Sequence, residues 1–196
     1  MLWEVANVIW IPLALIVGAV LWAVSVYNRL VGLRARASGA WADIDVQLKR
    51  RHNLVDNLVE TVKGYMQHER STLEAVVQAR SQATAARDGG NAREAGVAES
   101  LLGQQIRQLF ALAEAYPDLK ASDGFQNLHK SLEELEAAIQ NARRYYNAVV
   151  RDLNTRVQSV PDVFVARLFS FQEREFFELE DRAEAAVPKV DFGNRS

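Results

Sequence analysis

The sequence has no cysteine and only three histidines among its 196 residues. Without cysteine the chain can form no disulfide, thiolate metal site, cysteine nucleophile or cysteine-linked lipid anchor. His52, His68 and His129 lie far apart, and no second histidine follows His68-Glu69 at the spacing of a zinc-binding helix. We therefore expect neither a metal nor another cofactor.

An excess of positive charge is also missing. Residues 29–196 carry 23 basic and 24 acidic side chains, a net charge of −1. Nucleic-acid-binding surfaces need clustered basic residues, and the only dense basic run here is Lys49-Arg50-Arg51. The carboxylates are spread over polar helix faces rather than paired in an apolar cleft, so no acid-base site is indicated. We expect no nucleic-acid partner and no catalytic activity.

A long uncharged run stands near the start of the chain. The 24 residues between Glu4 and Arg29 would span about 36 Å as a helix, against a bilayer core of roughly 30 Å. The first ten residues contain no Lys or Arg, which disfavours a cleaved signal peptide. We predict an N-terminal membrane anchor at residues 1–28, with the span at about 5–28. The aromatic residues expected at the membrane interfaces are Trp3, Trp10, Trp22 and Tyr27.

Basic residues follow the uncharged run on one side only. Arg29, Arg34 and Arg36 are within about three turns of its end, whereas the other side offers only Glu4. We assign these arginines to the membrane interface. The positive-inside rule then predicts a single-pass protein of the cell (inner) membrane, with a short N-terminus outside and the remainder in the cytoplasm.

The segment from Ala40 to Glu69 reads AWADIDVQLKRRHNLVDNLVETVKGYMQHE. Its apolar residues recur at steps of three, four and seven, which predicts one buried stripe along a helix. They are Trp41, Ile44, Leu48, Val55, Leu58, Val62 and Tyr65. A second group of distinctive residues follows near the C-terminus: Tyr146-Asn147, Pro161, Ala166, Leu168-Phe169, Phe171 and Phe176-Phe177.

These two segments, in this order, resemble the LemA family of bacterial membrane-anchored helical proteins. The sequence departs from the family pattern at Asp56, where many members carry proline, and at Val26, where some carry a lipid-accepting cysteine. The resemblance implies an elongated antiparallel four-helix bundle and no established reaction. It also suggests other membrane proteins, such as a membrane metalloprotease, as partners.

Periodicity and turn residues predict an all-α fold in which an N-terminal transmembrane helix is followed by an antiparallel four-helix bundle at residues 29–160. The span and the first bundle helix are expected to be continuous up to about Gly64. The other helices are predicted at Glu69–Arg87, Ala92–Ala115 and Phe125–Val160. Their inward residues are expected to include Val77, Leu101 and Val160.

Two sets of residues are candidates for interaction. The basic run Lys49, Arg50 and Arg51 is expected to pair with Glu133, Glu134 and Glu136 on the last bundle helix. The second set is the Phe-rich segment at residues 161–180, where Phe164, Leu168 and Phe171 are expected to share a face. The interaction residues predicted in this segment are Phe164, Leu168, Phe169, Phe171, Phe176 and Phe177. This segment could cap its own bundle, a neighbouring protomer or the bilayer surface. Residues 181–196 are expected to form a flexible tail.

The function predicted from these features is a membrane-anchored, self-associating helical scaffold or adaptor, whose partners are the lipid bilayer and further copies of the chain. Two alternatives remain: an oligomeric assembly that organises or remodels the membrane, and a signalling component with a phosphoacceptor-like helix at His68.

Overall fold

The computed structural model describes residues 2–178, and the side chains from Trp10 onward. These residues are helical or irregular and contain no strand. The predicted tail at 181–196 lies outside the described residues. The helices are α1 (Leu2–Lys63), α2 (Arg70–Asp88), α3 (Ala92–Ala113), α4 (Pro117–Lys120), α5 (Asp123–Gln158) and α6 (Asp162–Leu168).

Helix α1 joins the uncharged run to the first amphipathic segment without a break. It contains Pro12 and ends at Lys63, one residue before Gly64. Glycine lowers helix stability by about 1 kcal/mol relative to alanine, which favours termination at this position. The predicted continuity of this helix and the position of its end are both confirmed.

A tight turn connects α2 to α3. Gly90 has a positive φ of 74°, a conformation that glycine adopts without steric penalty. Asn91 then caps α3, since its side-chain oxygen accepts hydrogen bonds from the backbone N–H groups of Arg93 and Glu94. The aspartate-glycine-glycine-asparagine turn expected from the sequence is therefore present, and α3 begins at the predicted residue.

The short helix α4 was not predicted. Pro117 stands in its first turn, where the missing proline N–H needs no partner. Leu119 of this helix is buried. The sequence around Pro117 therefore adds a short helix between the two longer helices α3 and α5.

The chain forms two compact units. Among the described residues, unit 1 contains 2–48 and Glu136–Phe176, and unit 2 contains Lys49–Leu135, Phe177 and Glu178. Helices α1 and α5 contribute residues to both units.

The core of unit 1 joins residues of α1 and α5 to the segment after α5. Its buried members are Val26, Leu30, Leu33, Leu153, Val165, Ala166 and Phe171. Because two of these residues belong to α6 and one follows it, the first part of the Phe-rich segment belongs to the core of unit 1.

The core of unit 2 contains residues from all four long helices and from α4. Representative members are Val55 and Leu58 of α1, Val76 of α2, Leu109 of α3 and Phe125 of α5. Some residues expected to face inward are exposed instead: Tyr65, Val77, Leu101 and, in unit 1, Val160. Tyr65 follows the end of α1, so the helical spacing no longer determines its direction, and Met66 is buried in its place.

Candidate functional site

Helix α1 exposes most of its uncharged run. Only 6% of its most apolar 18-residue stretch is buried, and the helix is long and apolar enough to cross a membrane. Trp10 and Trp22, predicted at the interfaces, are both exposed. The side chain of Trp3 lies outside the described residues. The apolar surface of this part of the helix is therefore uncovered within the described protein.

Aromatic contacts surround the end of the uncharged run. The ring of Tyr27 lies 4.7 Å from that of Phe169 and 5.7 Å from that of Phe171, measured between centroids. The guanidinium carbon of Arg34 stands 5.2 Å from the centre of the Phe171 ring, a cation–π distance. The predicted interface residues Tyr27 and Arg34 thus contact the Phe-rich segment.

Helix α6 divides the Phe-rich segment between a buried and an exposed side. Val165 and Ala166 are buried, whereas Phe164 is 65% exposed and Leu168 is 76% exposed. The expectation that Phe171 shares a face with Phe164 and Leu168 is wrong. Helix α6 ends at Leu168, and Ser170 adopts a φ of 55°, so Phe171 lies outside the helix and is buried.

Two side chains of α5, Asn154 and Tyr146, bind the irregular segment that follows α6. Asn154 accepts a hydrogen bond from the backbone N–H of Arg174 (2.9 Å) and donates one to its carbonyl oxygen (2.8 Å). The Tyr146 hydroxyl donates to the carbonyl oxygen of Glu175 at 3.0 Å. Burial raises the pKa of Tyr146, with Arg174 opposing that shift and Glu175 adding to it. This irregular backbone therefore finds hydrogen-bond partners on α5.

A buried charged network lies in unit 2 and joins α1, α2 and α3. His52 Nε2 is 2.6 Å from Glu99 Oε1, and Arg51 Nη1 donates to Glu99 Oε2 at 3.3 Å. On the other side of the imidazole, His52 Nδ1 lies 3.2 Å from Thr84 Oγ1 and 3.4 Å from Arg87 Nη1. Arg51, His52 and Glu99 are all buried.

The partners assign the proton on one side of the His52 ring. A carboxylate oxygen can only accept, so His52 Nε2–H donates to Glu99. On the other side, the Thr84 hydroxyl hydrogen is donated to the Arg80 carbonyl oxygen at 3.0 Å, so Arg87 Nη1 is the donor available to His52 Nδ1. Glu99 is 1% exposed, so a substrate cannot contact this carboxylate unless the helices separate. The network is suited to holding three helices in register rather than to chemistry on a ligand.

Sequence reasoning missed Glu99 and instead expected Arg51 to pair with glutamates of the last bundle helix. Glu99 shares its face of α3 with small residues at helical spacing, Ala95 and Gly103. Gly103 gives the Arg51 side chain room, since a Cβ there would stand 3.0 Å from Arg51 Nη2. An acid flanked by small residues at steps of four is the sequence signal that could have identified this site.

The remaining polar residues predicted for interaction are exposed or contact residues of their own helix. Lys49 and Arg50 are exposed. On α5, Glu133 lies 3.6 Å from His129, Glu134 lies 3.9 Å from Lys130, and Glu136 accepts a hydrogen bond from Gln140. The pairing expected between the basic run and these glutamates stays a prediction.

The position of His68 tests the prediction of a phosphoacceptor helix, and the positions of the His, Asp and Glu side chains show whether a metal site is present. His68 is exposed and lies in the turn before α2, whereas a phosphoacceptor histidine needs a place on a helix of the bundle. In the described part of the chain, no group of three or more His, Asp or Glu side chains is arranged to hold a metal ion.

Asp56 occupies the position where the resembled family often has proline. Its carboxylate accepts a hydrogen bond from Arg80 Nη2 at 2.6 Å, which links α1 to α2. Because Asp56 keeps its backbone N–H, α1 continues through this position without the disruption that a proline causes.

Comparisons with known proteins agree with this helical architecture. The LemA family model matches residues 40–192. Magnetosome protein MamQ of Magnetospirillum gryphiswaldense is 24% identical, over 77% of this chain and 64% of that protein. Magnetosome protein MamQ 2 of Paramagnetospirillum magneticum is 23% identical, over 78% of this chain and 64% of that protein. This chain thus matches less than two thirds of the length of these relatives. Since the family match includes both the Ala40–Glu69 segment and the Phe-rich segment, the chain belongs to the LemA family.

Proposed function

We propose that this protein is a membrane-anchored helical scaffold of the LemA type that self-associates and has no catalytic activity. The observation that carries the proposal is the uncovered apolar surface of α1, of which 6% is buried over its most apolar stretch. A helix that is apolar on all sides and unpacked in water is unfavourable, and a bilayer supplies the missing apolar surroundings.

The composition of the uncharged run supports membrane insertion energetically. Residues 5–28 contain twelve Leu, Ile and Val side chains. At about 0.3–0.6 kcal/mol each, these favour insertion by about 4–7 kcal/mol, before the unfavourable contribution of Asn7 and Pro12. With arginines only on its C-terminal side, the span would leave the rest of the chain in the cytoplasm, at the inner membrane.

The exposed apolar side chains at α6, Phe164, Leu168 and Phe169, are proposed to contact the bilayer surface. Phe169 contacts Tyr27, which is two residues before the first arginine after the uncharged run. A membrane-spanning α1 would therefore bring exposed Phe164, Leu168 and Phe169 to the height of the interface. Aromatic and aliphatic side chains at this depth gain apolar contact while the helix backbone stays in the polar layer.

The scaffold role is supported by the way in which several helices contribute residues to one core. Residues of α1, α2, α3 and α5 share the core of unit 2, as expected of the proposed antiparallel four-helix bundle. In unit 1, Val46 of α1 and Tyr145 of α5 are exposed and apolar or aromatic. We propose that they contact further copies of the chain.

A second candidate, a membrane-organising oligomer, is favoured by the exposed apolar side of α6 next to the span. If many copies of the chain insert this apolar side of α6 into the same leaflet, the area of that leaflet increases relative to the other. The two candidates differ in stoichiometry. Native mass spectrometry of the full-length chain in detergent distinguishes a small scaffold complex from a large array, and a strictly monomeric chain would contradict self-association.

Alkaline carbonate extraction of membranes tests the anchor. The wild-type chain should stay in the membrane pellet, and Val17→Arg with Leu21→Arg should shift it to the soluble fraction because charges in the bilayer centre are unfavourable. Val77→Arg with Leu101→Arg places the same two charges on exposed positions of α2 and α3 and should leave the chain in the pellet. Release of the wild-type chain by carbonate would refute membrane anchoring.

Orientation is tested by thiol labelling, because the chain has no cysteine of its own. Ser81→Cys places one exposed thiol on α2, and Leu2→Cys places one before the span. In intact cells, a membrane-impermeant maleimide should label position 2 and leave position 81 unlabelled. The reverse pattern would contradict the cytoplasmic assignment.

A further inference from the structure

A groove of about 680 Å³ lies in unit 1 between α1, α5 and the start of α6. Arg29, Leu33 and Arg36 line it from α1, and Arg151 and Arg156 line it from α5. Leu33 is buried, so the groove has an apolar floor with guanidinium groups along both sides.

The groove has a surplus of positive charge. Its four arginines face two carboxylates, Asp152 and Asp162, which leaves a net charge of +2. Asp162 is paired with Arg156 at 3.0 Å. Among the residues that the structure describes, Arg29, Arg36 and Arg151 have no carboxylate within ion-pair distance. An anion in the groove would complete the pairing of these guanidinium groups.

The position of the groove indicates the source of that anion. Arg29 is the first residue after the uncharged run, and two helical turns place Arg36 about 10 Å further along α1. The polar layer of a bilayer leaflet is about 5–8 Å thick beyond the hydrocarbon core. The Arg36 side chain turns back to the carbonyl oxygen of Gly32, three residues past Arg29, so its guanidinium reaches this layer. Val160, which also lines the groove, is 77% exposed and apolar, as suits a residue near the acyl-chain boundary.

We propose that this groove binds the phosphate of an anionic phospholipid headgroup, with Arg36 and Arg151 as the principal ligands. Guanidinium groups match phosphate oxygens through paired N–H donors. The Arg36 Nε–H already donates to the Gly32 carbonyl oxygen, one turn back toward the span, which orients this side chain toward the membrane. A zwitterionic headgroup carries its own ammonium, which the surplus positive charge of the groove repels, so an anionic headgroup is preferred.

This inference rests on the proposed membrane anchoring, and the experiment separates the two. The full-length chain is reconstituted into phosphatidylcholine vesicles with or without phosphatidylglycerol, and flotation first establishes that it is membrane-bound. Native mass spectrometry after mild detergent extraction then measures the ratio of phosphatidylglycerol to phosphatidylcholine retained per chain. Failure of the wild-type chain to float refutes the proposed function; flotation without phosphatidylglycerol enrichment refutes only the groove assignment.

Matched variants locate the site. Arg36→Gln with Arg151→Gln should float like the wild type but lose about tenfold or more of its phosphatidylglycerol enrichment. Arg143→Gln with Arg144→Gln removes the same charge from α5 outside the groove and should keep that enrichment. Arg36→Lys with Arg151→Lys keeps the charge without the paired donors and should retain an intermediate enrichment. Equal enrichment in the groove variant and the control variant would overturn the proposal.

Free phosphate is the competing source of the same chemistry. Excess inorganic phosphate, or soluble glycerophosphoglycerol, is added before extraction. A membrane-embedded headgroup should be displaced weakly, because its acyl chains keep it beside the groove. Complete displacement at concentrations that leave flotation unchanged would identify a soluble phosphate site and overturn the lipid assignment.

Discussion

The buried carboxylate of Glu99 is expected to be the most sensitive polar position in unit 2. Its side chain is 1% exposed and accepts hydrogen bonds from His52 Nε2 at 2.6 Å and Arg51 Nη1 at 3.3 Å. Glu99→Gln keeps the shape but replaces one acceptor oxygen with an amide donor. If that donor faces Arg51, two donors meet; if it faces His52, the imidazole must change tautomer so that Nε2 accepts. In both orientations the Arg51 guanidinium loses the Glu99 carboxylate.

The expected loss follows from the burial of all three groups. Removing one partner of a buried ion pair lowers the free energy of unfolding by about 3–5 kcal/mol, because the remaining charge stays desolvated. For a chain of this size each kcal/mol corresponds to about 2–4 °C in Tm, so Glu99→Gln should lower Tm by about 6–20 °C. Glu99→Ala should lower it further, since a cavity is added.

Thermal unfolding of the full-length chain in detergent, followed by circular dichroism at the helix band, measures this difference. Glu133→Gln is the matched control, because Glu133 pairs with His129 at 3.6 Å but has a 68% exposed side chain. Exposed pairs contribute about 0–1 kcal/mol, so the control should shift Tm by less than about 4 °C. Equal shifts for the two variants would refute the reasoning that burial determines the contribution of this network.

Two further predictions concern the packing of the C-terminal segment. Gly96→Ala should lower Tm, because a Cβ at this position would overlap the carbonyl oxygen of Glu178, whereas Gly39→Ala meets nothing within 4 Å and should raise the free energy of unfolding by about 1 kcal/mol. Equal Tm changes in these two variants would contradict the close approach at Gly96. Tyr146→Phe should lower the free energy of unfolding by about 1 kcal/mol at neutral pH, through loss of the hydrogen bond to Glu175. The pKa of Tyr146 is raised in the folded chain, so its contribution to the free energy of unfolding is full below about pH 10 and decreases as the pH rises further. The Tm difference between wild type and Tyr146→Phe should therefore shrink above about pH 10. A Tm difference that stays constant over this range would exclude the linkage.

Much of the helix framework was predictable from the sequence because local rules decide it. The aspartate-glycine-glycine-asparagine turn, Gly64 and the spacing of three and four residues mark where helices begin and end. Helix α4 escaped prediction because four residues are too few to show a period. The prediction that Tyr65 faces inward was wrong for a related reason, because periodicity indicates a buried face only while the helix continues.

The charged sites were less predictable, because the sequence of one helix does not show which of its charged side chains is buried. Arg51 resembles Lys49 and Arg50 in sequence, yet Arg51 is buried against Glu99 and the other two are exposed. The difference arises from α3, which brings Gly103 and Glu99 to this face of α1. No pattern within α1 alone contains that information.

The sequence by itself determined the family, the all-helical fold and the uncharged run that α1 leaves exposed, since these follow from composition and from periods within one segment. Only the tertiary structure decided that Glu99, His52 and Arg51 meet, that Phe171 separates from Phe164, and that arginines of α1 and α5 line one groove. Those outcomes depend on contacts between residues distant along the chain, whose energies become available only when the helices pack.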